Sequence, residues 1–335
     1  MPAPPSRAGR RPHWVQELGS AVRGLRRRSL FLAMRWLTRR VGFTRIRRIG
    51  SWLGAVHYTA GTGVRRRCLA GLAALMRRRA SDPAVARTLR EAYRVNTIAV
   101  LEVLAMVDRR LETHRVREHC QLEGVEQIDA ARQGRGAILL ATHSGNGLLL
   151  AACLADAGWP VSVVYRHTRM LSKQFFSTGL RRYDIEAILA NEGFRAYARM
   201  LDALRANRVV FVMIDQGVEK SETGLMLQFL GKQMPMPGGV VQLARQARAP
   251  ILPVVTLAAE PRWHFMIQSP IQLRPGGSLE SDSCEVLQHV EAAILARPQL
   301  WSWPHRRWRN FPVAPTADDQ QGAAARRCSN IEATR

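Results

Sequence analysis

His143 is the residue of this sequence best placed to do chemistry. It follows a short apolar run, 137–141, that predicts a buried strand, and it precedes a turn of small residues, 144–147, that leads into an apolar helix. In an open α/β sheet, ligands and catalytic side chains gather at the carboxyl ends of the strands. A histidine at such a strand end, beside the amide groups of a helix N-terminus, is a candidate general base.

Two other predicted strands end in charged side chains. Arg166 ends an apolar run that starts at Val161, and Asp215 follows a run that starts at Val209. If these strands are parallel neighbours of the first, a base, a cation and a carboxylate converge on one edge of the sheet. Taken singly, each charge has an equally good structural explanation, since a strand-end aspartate is as often a turn cap and an arginine suits an ion pair. The prediction of a reactive cleft therefore depends on their convergence.

Other kinds of chemistry find little support in the sequence. Ser144 lacks the Gly-x-Ser-x-Gly context of a hydrolase nucleophile. Gly145 and Gly147 lack the third glycine of a dinucleotide-binding fingerprint, and no phosphate-loop lysine is present. The histidines and acids show no metal-ligand spacing, and the 5 cysteines show no paired spacing. We therefore expect no cofactor and no metal.

The elements that must position these side chains alternate between strand and helix. Apolar runs predict strands over 137–142, 161–166, 209–214, 251–257 and 263–268, and helical periodicity predicts helices over 148–157, 172–182, 194–206, 238–247 and 284–296. Upstream, the pattern predicts a long helix over 84–112 that is capped near Asp82, a turn over 121–124 and a short helix over 125–132. This alternation predicts an α/β fold with a mainly parallel, mixed sheet flanked by helices.

The charge of the chain is unevenly distributed. Lys+Arg number 50 against 26 for Asp+Glu, a net charge of +24, and the first 80 residues alone carry about +18 of it. Trp14, Trp36, Trp52 and Tyr58 are interleaved with arginine clusters there, a pattern typical of amphipathic helices that lie on an anionic membrane. The alternative is a helical subdomain that packs on the core and presents a solvated basic face. No nucleic acid is expected, because no zinc-finger or RNP-like pattern accompanies the charge.

Three regions follow from this organisation. Residues 1–80 are predicted to be a basic, amphipathic, helical membrane-associating region, 81–313 an α/β domain, and 314–335 a disordered tail. The apolar run over 30–37 is too short for a spanning helix and has no cleavage site after it, so neither a signal peptide nor a transmembrane segment is expected.

Ordered sequence blocks carry a family resemblance. They are Glu123-Gly124, the stretch from Gly136 through His143 to Asn146, Val164 to Arg166, Arg181-Arg182, Asp215-Gln216, Phe229 to Lys232, Ala249 to Val254 and Trp301 to Trp308. With these blocks in this order, the chain resembles the late acyltransferases of lipid A biosynthesis, the lauroyl and myristoyl transferases. They are related to the wider group of His-x4-Asp/Glu glycerolipid acyltransferases. The resemblance extends from about residue 30 to about residue 312.

The resemblance implies a function and a site. The implied reaction moves a fatty acyl chain from an acyl carrier protein or coenzyme A thioester to a hydroxyl of an anionic glycolipid such as a lipid A precursor, with His143 as general base, helped in the family by a carboxylate five residues further on. The implied location is the cytoplasmic face of the bacterial inner membrane, as a peripheral or monotopic protein. The implied substrate-binding residues are Gly145, Asn146, Arg166, Arg181, Gln216, Phe229 and Gly231.

One departure from the family pattern bears on activity. Leu148 stands five residues after His143, where the family has Glu or Asp, and Gly147 stands where it has Trp. A histidine without a carboxylate partner loses the group that fixes its tautomer. Two hypotheses follow: Asp215 takes the missing role, or the chain is a catalytically degenerate relative that binds lipid or carrier. Under the first, the exchange Leu148→Glu is expected to leave activity unchanged or to raise it.

Overall fold

The architecture was taken from a computed structural model, which describes residues 13–166, 173–218 and 224–303. The α-helices are α1 (His13–Arg40), α2 (Phe43–Ala60), α3 (Thr62–Leu75), α4 (Pro83–Val107), α5 (Glu126–Arg132), α6 (Gly147–Asp156), α7 (Lys173–Arg181), α8 (Phe194–Arg205), α9 (Gly239–Ala247) and α10 (Leu279–Ala296). The strands are β1 (Cys120–Glu123), β2 (Ala137–Ala141), β3 (Val161–Tyr165), β4 (Glu186–Leu189), β5 (Val209–Met213), β6 (Leu225–Phe229), β7 (Lys232–Met236), β8 (Ile251–Ala258) and β9 (Trp263–Ile267).

Seven of these strands form one mixed sheet in the order β1-β9-β8-β2-β5-β3-β4. All neighbours in it pair in parallel except β8 and β9, which are antiparallel. Strands β6 and β7 form a separate antiparallel hairpin. The predicted α/β fold with a mainly parallel, mixed sheet is therefore confirmed, and the strand order brings β2, β5 and β3 side by side as the cleft prediction required.

The core lies on both faces of this sheet. Ala137, Leu139 and Ala141 of β2 pack in one buried apolar cluster, whereas Ile138 and Leu140 pack in another. This division follows from the alternation of side chains along a strand. The first cluster includes the apolar faces of α4 and α6, and the second includes those of α8, α9 and α10. Strands covered on both faces read as continuous apolar runs, which is why β2 and β5 could be predicted from the sequence.

The N-terminal helices pack closely onto α4. Gly50 and Gly54 of α2 face α4 so tightly that an added Cβ would lie 2.9 Å from the Ile98 Cα and 2.6 Å from the Arg94 Cα. The Asp82 carboxylate caps α4 by accepting from the Ala84 amide (2.7 Å), as predicted. The helix ends at Val107 and not at 112, because Arg109 adopts a positive φ of 63° and the chain turns there.

Several other sequence-based boundaries or assignments were wrong. Residues 120–123 form strand β1 and not a turn, while β4 and the β6–β7 hairpin were not predicted at all. Helix α10 begins five residues before the predicted 284, because the Ser278 hydroxyl caps it by accepting from the Ser281 amide (3.0 Å). The first 12 residues of the predicted region 1–80 and the predicted disordered tail over 314–335 lie outside the described residues. Within the described residues no helix is both long and apolar enough to cross a membrane.

Candidate active site

The turn that carries His143 is held in place from two sides. Strand β2 ends at Ala141, and the chain then turns at Gly145, which has a φ of +73° and lies so close to Trp263 that an added Cβ would be 2.6 Å from the indole ring. The His143 carbonyl accepts from the Ser302 amide (3.0 Å), and the Gly145 amide donates to the Leu300 carbonyl (3.2 Å). The turn is therefore fixed by the segment 300–302, far away in sequence.

Asp215 is the direct partner of His143. Ala141 of β2 pairs with Met213 of β5. His143 and Asp215 each stand two positions after these paired residues, so they lie side by side at this edge of the sheet. The Asp215 Oδ1 lies 2.6 Å from the His143 Nδ1, and its Oδ2 accepts from the His143 backbone amide at 3.0 Å. The Trp301 indole also donates to that Oδ2, at 2.7 Å. Asp215 is fully buried, whereas the His143 side chain is 32% exposed.

This arrangement fixes the chemistry that the imidazole can do. An ionised carboxylate only accepts hydrogen bonds, so Asp215 holds the proton of the neutral ring on Nδ1. The Nε2 of His143 then carries the lone pair, and the Gln216 side-chain nitrogen donates to it at 3.0 Å. A partly exposed imidazole with a buried carboxylate behind it can take a proton and be stabilised as imidazolium.

Arg166 lies at the same edge of the sheet. It follows β3, which is the parallel neighbour of β5, and its side chain is exposed. The structure thus brings His143 and Asp215 into contact and places Arg166 one strand away. Arg181 lies elsewhere: it ends α7, which leads back toward the start of β4, level with Ser162 near the amino end of β3.

Asn146 is placed behind the turn and not in the cleft. It is fully buried, and its side-chain oxygen caps α6 by accepting from the Leu149 amide (3.0 Å). Its side-chain nitrogen donates to the Glu102 carboxylate at 3.1 Å. These contacts use both ends of the amide, so the structure gives Asn146 the role of positioning the turn that carries His143.

Gln216 is the remaining predicted binding residue that the structure brings to His143. Phe229 and Gly231 lie outside this cluster, because they belong to the end of the β6–β7 hairpin that contacts α10. Phe229 is fully buried in the core, and Gly231 occupies the two-residue hairpin turn with a φ of +74°. Both positions have clear structural reasons for their residue types.

The two departures from the family pattern lie in a packed environment. Leu148 is 6% exposed and belongs to the apolar cluster on one face of the sheet. At Gly147 an added Cβ would lie 2.6 Å from the Met213 methyl carbon and 3.1 Å from the Phe211 ring. The space that a larger side chain would need at 147 is therefore occupied by side chains of β5.

Glu102 is a site residue that sequence reasoning missed. This fully buried carboxylate on α4 accepts from the Asn146 amide, from the Trp263 indole at 2.5 Å and from the Arg47 guanidinium at 2.9 Å. Burial raises the pKa of Glu102, and the charge of Arg47 with the indole and amide donors opposes that rise. The signal was present in the sequence, since Glu102 is an isolated acid within the apolar stretch 98–107.

Trp301 is the second residue whose role was missed. Its block was noted as part of a family pattern, but its indole donor to Asp215 depends on a contact between positions 86 residues apart. The spacing of apolar residues along the chain predicts helices and strands, but it does not predict a contact between such distant positions. Among the described residues, no group of three or more His, Cys, Asp or Glu side chains is arranged to hold a metal ion.

Comparison with known proteins places this site in a family. The family model described as bacterial lipid A biosynthesis acyltransferase matches residues 19–310. Two proteins described as phosphatidylinositol mannoside acyltransferase, from Mycobacterium tuberculosis strains ATCC 25618 / H37Rv and CDC 1551 / Oshkosh, are each 25% identical to this chain over 232 residues, which cover 68% of this chain and 69% of each relative. The family match includes His143, Asp215 and Trp301 and extends over most of the sequence. This chain therefore belongs to the family of bacterial lipid A biosynthesis acyltransferases.

Proposed function

We propose that this acyltransferase moves a fatty acyl chain from a thioester to a hydroxyl of a glycolipid, with His143 as the general base. The observation that carries the proposal is the 2.6 Å contact between the His143 Nδ1 and the buried Asp215, on a histidine whose side chain is 32% exposed. This geometry is what a base catalyst requires.

The proposed reaction transfers the acyl group from the thioester sulfur to the hydroxyl oxygen of the acceptor. The Nε2 of His143 takes the proton of the acceptor hydroxyl while that oxygen attacks the thioester carbonyl. The tetrahedral intermediate then collapses, the carbon–sulfur bond breaks, and the thiolate takes the proton back from the imidazolium. Asp215 holds the Nδ1 proton throughout and stabilises the positive ring between the two steps.

The substrate classes follow from charge and from kinship. The relatives from Mycobacterium tuberculosis are named for acyl transfer to a phosphatidylinositol mannoside, which is a glycolipid. We extend that class to the acceptor of this chain, with Arg166 at the edge of the sheet as a cation for an acidic group on it. The acyl donor is an acyl carrier protein or a coenzyme A thioester, both of which are anionic.

Peripheral binding to the cytoplasmic face of the bacterial inner membrane completes the proposal. Leu25, Leu32 and Trp36 are 68%, 53% and 61% exposed, and their spacing of seven and four residues puts them on one side of α1. On α2, Trp52 and Val56 are exposed one turn apart. Exposed arginines flank both groups, including Arg39 and Arg48. Apolar side chains with basic neighbours are what an interfacial helix presents to anionic lipid.

The test is acyl transfer by the variant His143→Ala. Product formation is measured by mass spectrometry, with acyl carrier protein or coenzyme A thioesters as donors and the lipid extract of the native cell as acceptor. Loss of a positioned general base is expected to lower kcat by about 10²–10⁴-fold. His289→Ala serves as the control, because that histidine lies on α10 with its side chain 38% exposed. Wild-type turnover by the His143→Ala protein would remove the base assignment, and the degenerate-relative hypothesis would gain if the wild type itself transferred nothing.

A further inference from the structure

An open cavity of about 550 Å³ is lined by Arg109, Thr178, Arg181 and Arg182. It lies between the end of α4 and the end of α7, which pack together where Gly179 abuts Val107. Arg109 and Arg181 are exposed, and Arg182 is half-buried. Three guanidiniums therefore face one opening, and within the described part of the chain no carboxylate lines it.

The absence of a counter-charge distinguishes these arginines from their neighbours. Arg35 and Arg39 pair with Asp108, and Arg199 pairs with Glu186 at 2.8 Å. Across the residues that the structure describes, the three cavity arginines have no acidic partner within ion-pair distance. A larger cavity nearby, which Arg181 also lines, contains the carboxylates of Asp184, Glu186 and Glu192. The smaller cavity thus concentrates positive charge that no carboxylate of the described residues compensates.

Helix termini explain part of this arrangement but not all of it. Arg181 is the last residue of α7, and Arg109 follows the end of α4, so both lie where a helix dipole favours a cation. That effect acts on each helix separately, and it gives no reason for the guanidiniums to share one opening. Like charges that converge repel one another unless an anion lies between them. A planar guanidinium is also the side chain that best matches phosphate oxygens.

The position of the cavity indicates where the anion comes from. Asp108, which precedes Arg109, accepts from Arg35 at 2.6 Å and from Arg39 at 3.0 Å, so the rim of the cavity is joined to α1. Trp36, between these two arginines in sequence, is 61% exposed. The cavity therefore adjoins the apolar stripe of α1 that we place at the membrane surface.

We propose that the Arg109–Arg181–Arg182 cavity binds the phosphomonoester headgroup of a membrane lipid and anchors the enzyme at the membrane surface. A phosphomonoester carries about −1.5 to −2 charges at pH 7, which suits three converging cations better than the single charge of a phosphodiester. The lipid source of the phosphate rests on the membrane docking proposed above. The anion site itself is independent of acyl transfer.

Vesicle binding by the full chain tests this proposal. Phosphatidylcholine vesicles carry either phosphatidic acid, a monoester, or phosphatidylglycerol, a diester, at matched total surface charge. The variant R109Q/R181Q/R182Q is compared with R248Q/R274Q/R297Q, which removes the same charge from exposed arginines elsewhere. Since each arginine at an anionic surface contributes roughly a fivefold factor, the cavity variant should bind phosphatidic acid vesicles on the order of a hundredfold more weakly.

The preference for the monoester is the decisive readout. The wild type and the control variant should both prefer phosphatidic acid vesicles, and only the cavity variant should lose that preference. Equal binding of the two vesicle types by the wild type would overturn the proposal, as would an equal loss in both triple variants. Competition by soluble coenzyme A without any lipid preference would assign the phosphate to the donor and overturn the lipid assignment. Because His143→Ala should keep the preference, failure of the acyl-transfer proposal is read out separately.

Discussion

The two ring nitrogens of His143 face different environments. Nδ1 lies 2.6 Å from the buried Asp215, and Nε2 lies toward Gln216 at the open side of the turn. The second oxygen of Asp215 is held by the His143 amide and the Trp301 indole. This carboxylate therefore cannot rotate away from the ring without losing two other hydrogen bonds. The orientation of the imidazole is thus fixed by Asp215 and, through it, by Trp301.

The exchange Asp215→Asn is expected to lower kcat by about 10⁴-fold while the fold is kept. The Asn oxygen will stay with the two donors at the Oδ2 position, His143 N and Trp301 Nε1, so the amide nitrogen will face the His143 Nδ1. A donor there forces the proton onto Nε2, which can then no longer accept one from the substrate. Steady-state kinetics measures the loss, and circular dichroism checks folding.

Asp202→Asn is the matched control for that variant, because the Asp202 side chain is 74% exposed on α8. It should retain wild-type kinetics. Turnover by the Asp215→Asn enzyme within tenfold of wild type would mean that the tautomer of His143 is not set by Asp215.

Leu148 is the residue at which the structure changes an expectation. Because Asp215 already occupies the Nδ1 side of His143, Leu148→Glu should bring no gain in kcat. The new carboxylate would replace a 6%-exposed side chain in an apolar cluster, so the variant should also unfold at lower temperature. Scanning calorimetry and kinetics on the single variant test this. The double variant Asp215→Asn/Leu148→Glu decides the geometry, since restored turnover would show that a carboxylate at 148 reaches the imidazole.

At the scale of elements, predictability followed the degree of burial. Strands β2 and β5 are covered on both faces, and their apolar runs were correctly predicted to within a residue. Strand β1 has four residues, pairs only with β9 at the edge of the sheet and shows no clear alternation of apolar and polar side chains. Its sequence therefore does not distinguish it from a turn. The β6–β7 hairpin turns at Leu230-Gly231 and contains Pro235, neither of which is a hairpin signal. Its burial depends on α10, which the local sequence does not report.

The Glu102 network joins four elements, and it is the part of the site least visible in the sequence. Arg47 comes from α2, Asn146 from the start of α6 and Trp263 from β9, and all three donate to one carboxylate on α4. Arg47 also donates to the Ala259 carbonyl after β8. The spacing of apolar residues predicted α4, but this spacing does not indicate which side chains form hydrogen bonds with Glu102. Packing between elements that are distant in sequence determines these partners, and through Asn146 it positions the turn that carries His143.

Glu102→Gln is expected to lower the free energy of unfolding by about 3–5 kcal/mol, the range for breaking a buried ion pair. Both carboxylate oxygens accept hydrogen bonds, whereas glutamine has one acceptor, so its amide group must face a donor. Denaturant unfolding gives the value. Glu260→Gln is the control: Glu260 pairs with Arg94 but is 55% exposed, and its loss should cost less than about 1 kcal/mol. Similar costs for the two variants would show that the Glu102 network contributes little.

At the scale of the whole molecule, the structure shows where the basic N-terminal residues lie. The positive N-terminal residues form helices that are joined to the α/β core, since Phe43 and Ile46 lie in one core cluster and Leu72 in the other. The sequence left open whether this basic helical region packs on the core, because packing of α2 on α4 depends on the two glycines that allow close approach. The outer sides of α1 and α2 keep exposed tryptophans. The basic, aromatic surface is thus joined through α4 to the turn that carries His143.

Leu32→Gln/Trp36→Gln tests whether that surface docks on lipid. Binding to phosphatidylglycerol vesicles should weaken about tenfold or more, because insertion of these apolar side chains into the interface is lost while net charge is kept. Phe194→Gln/Met226→Gln is the matched control, since those side chains are 85% and 58% exposed on other elements. The control should bind as the wild type does. Raised salt should weaken both proteins further by screening the arginines. An equal loss in the two double variants, or none in either, would mean that α1 does not contact the membrane.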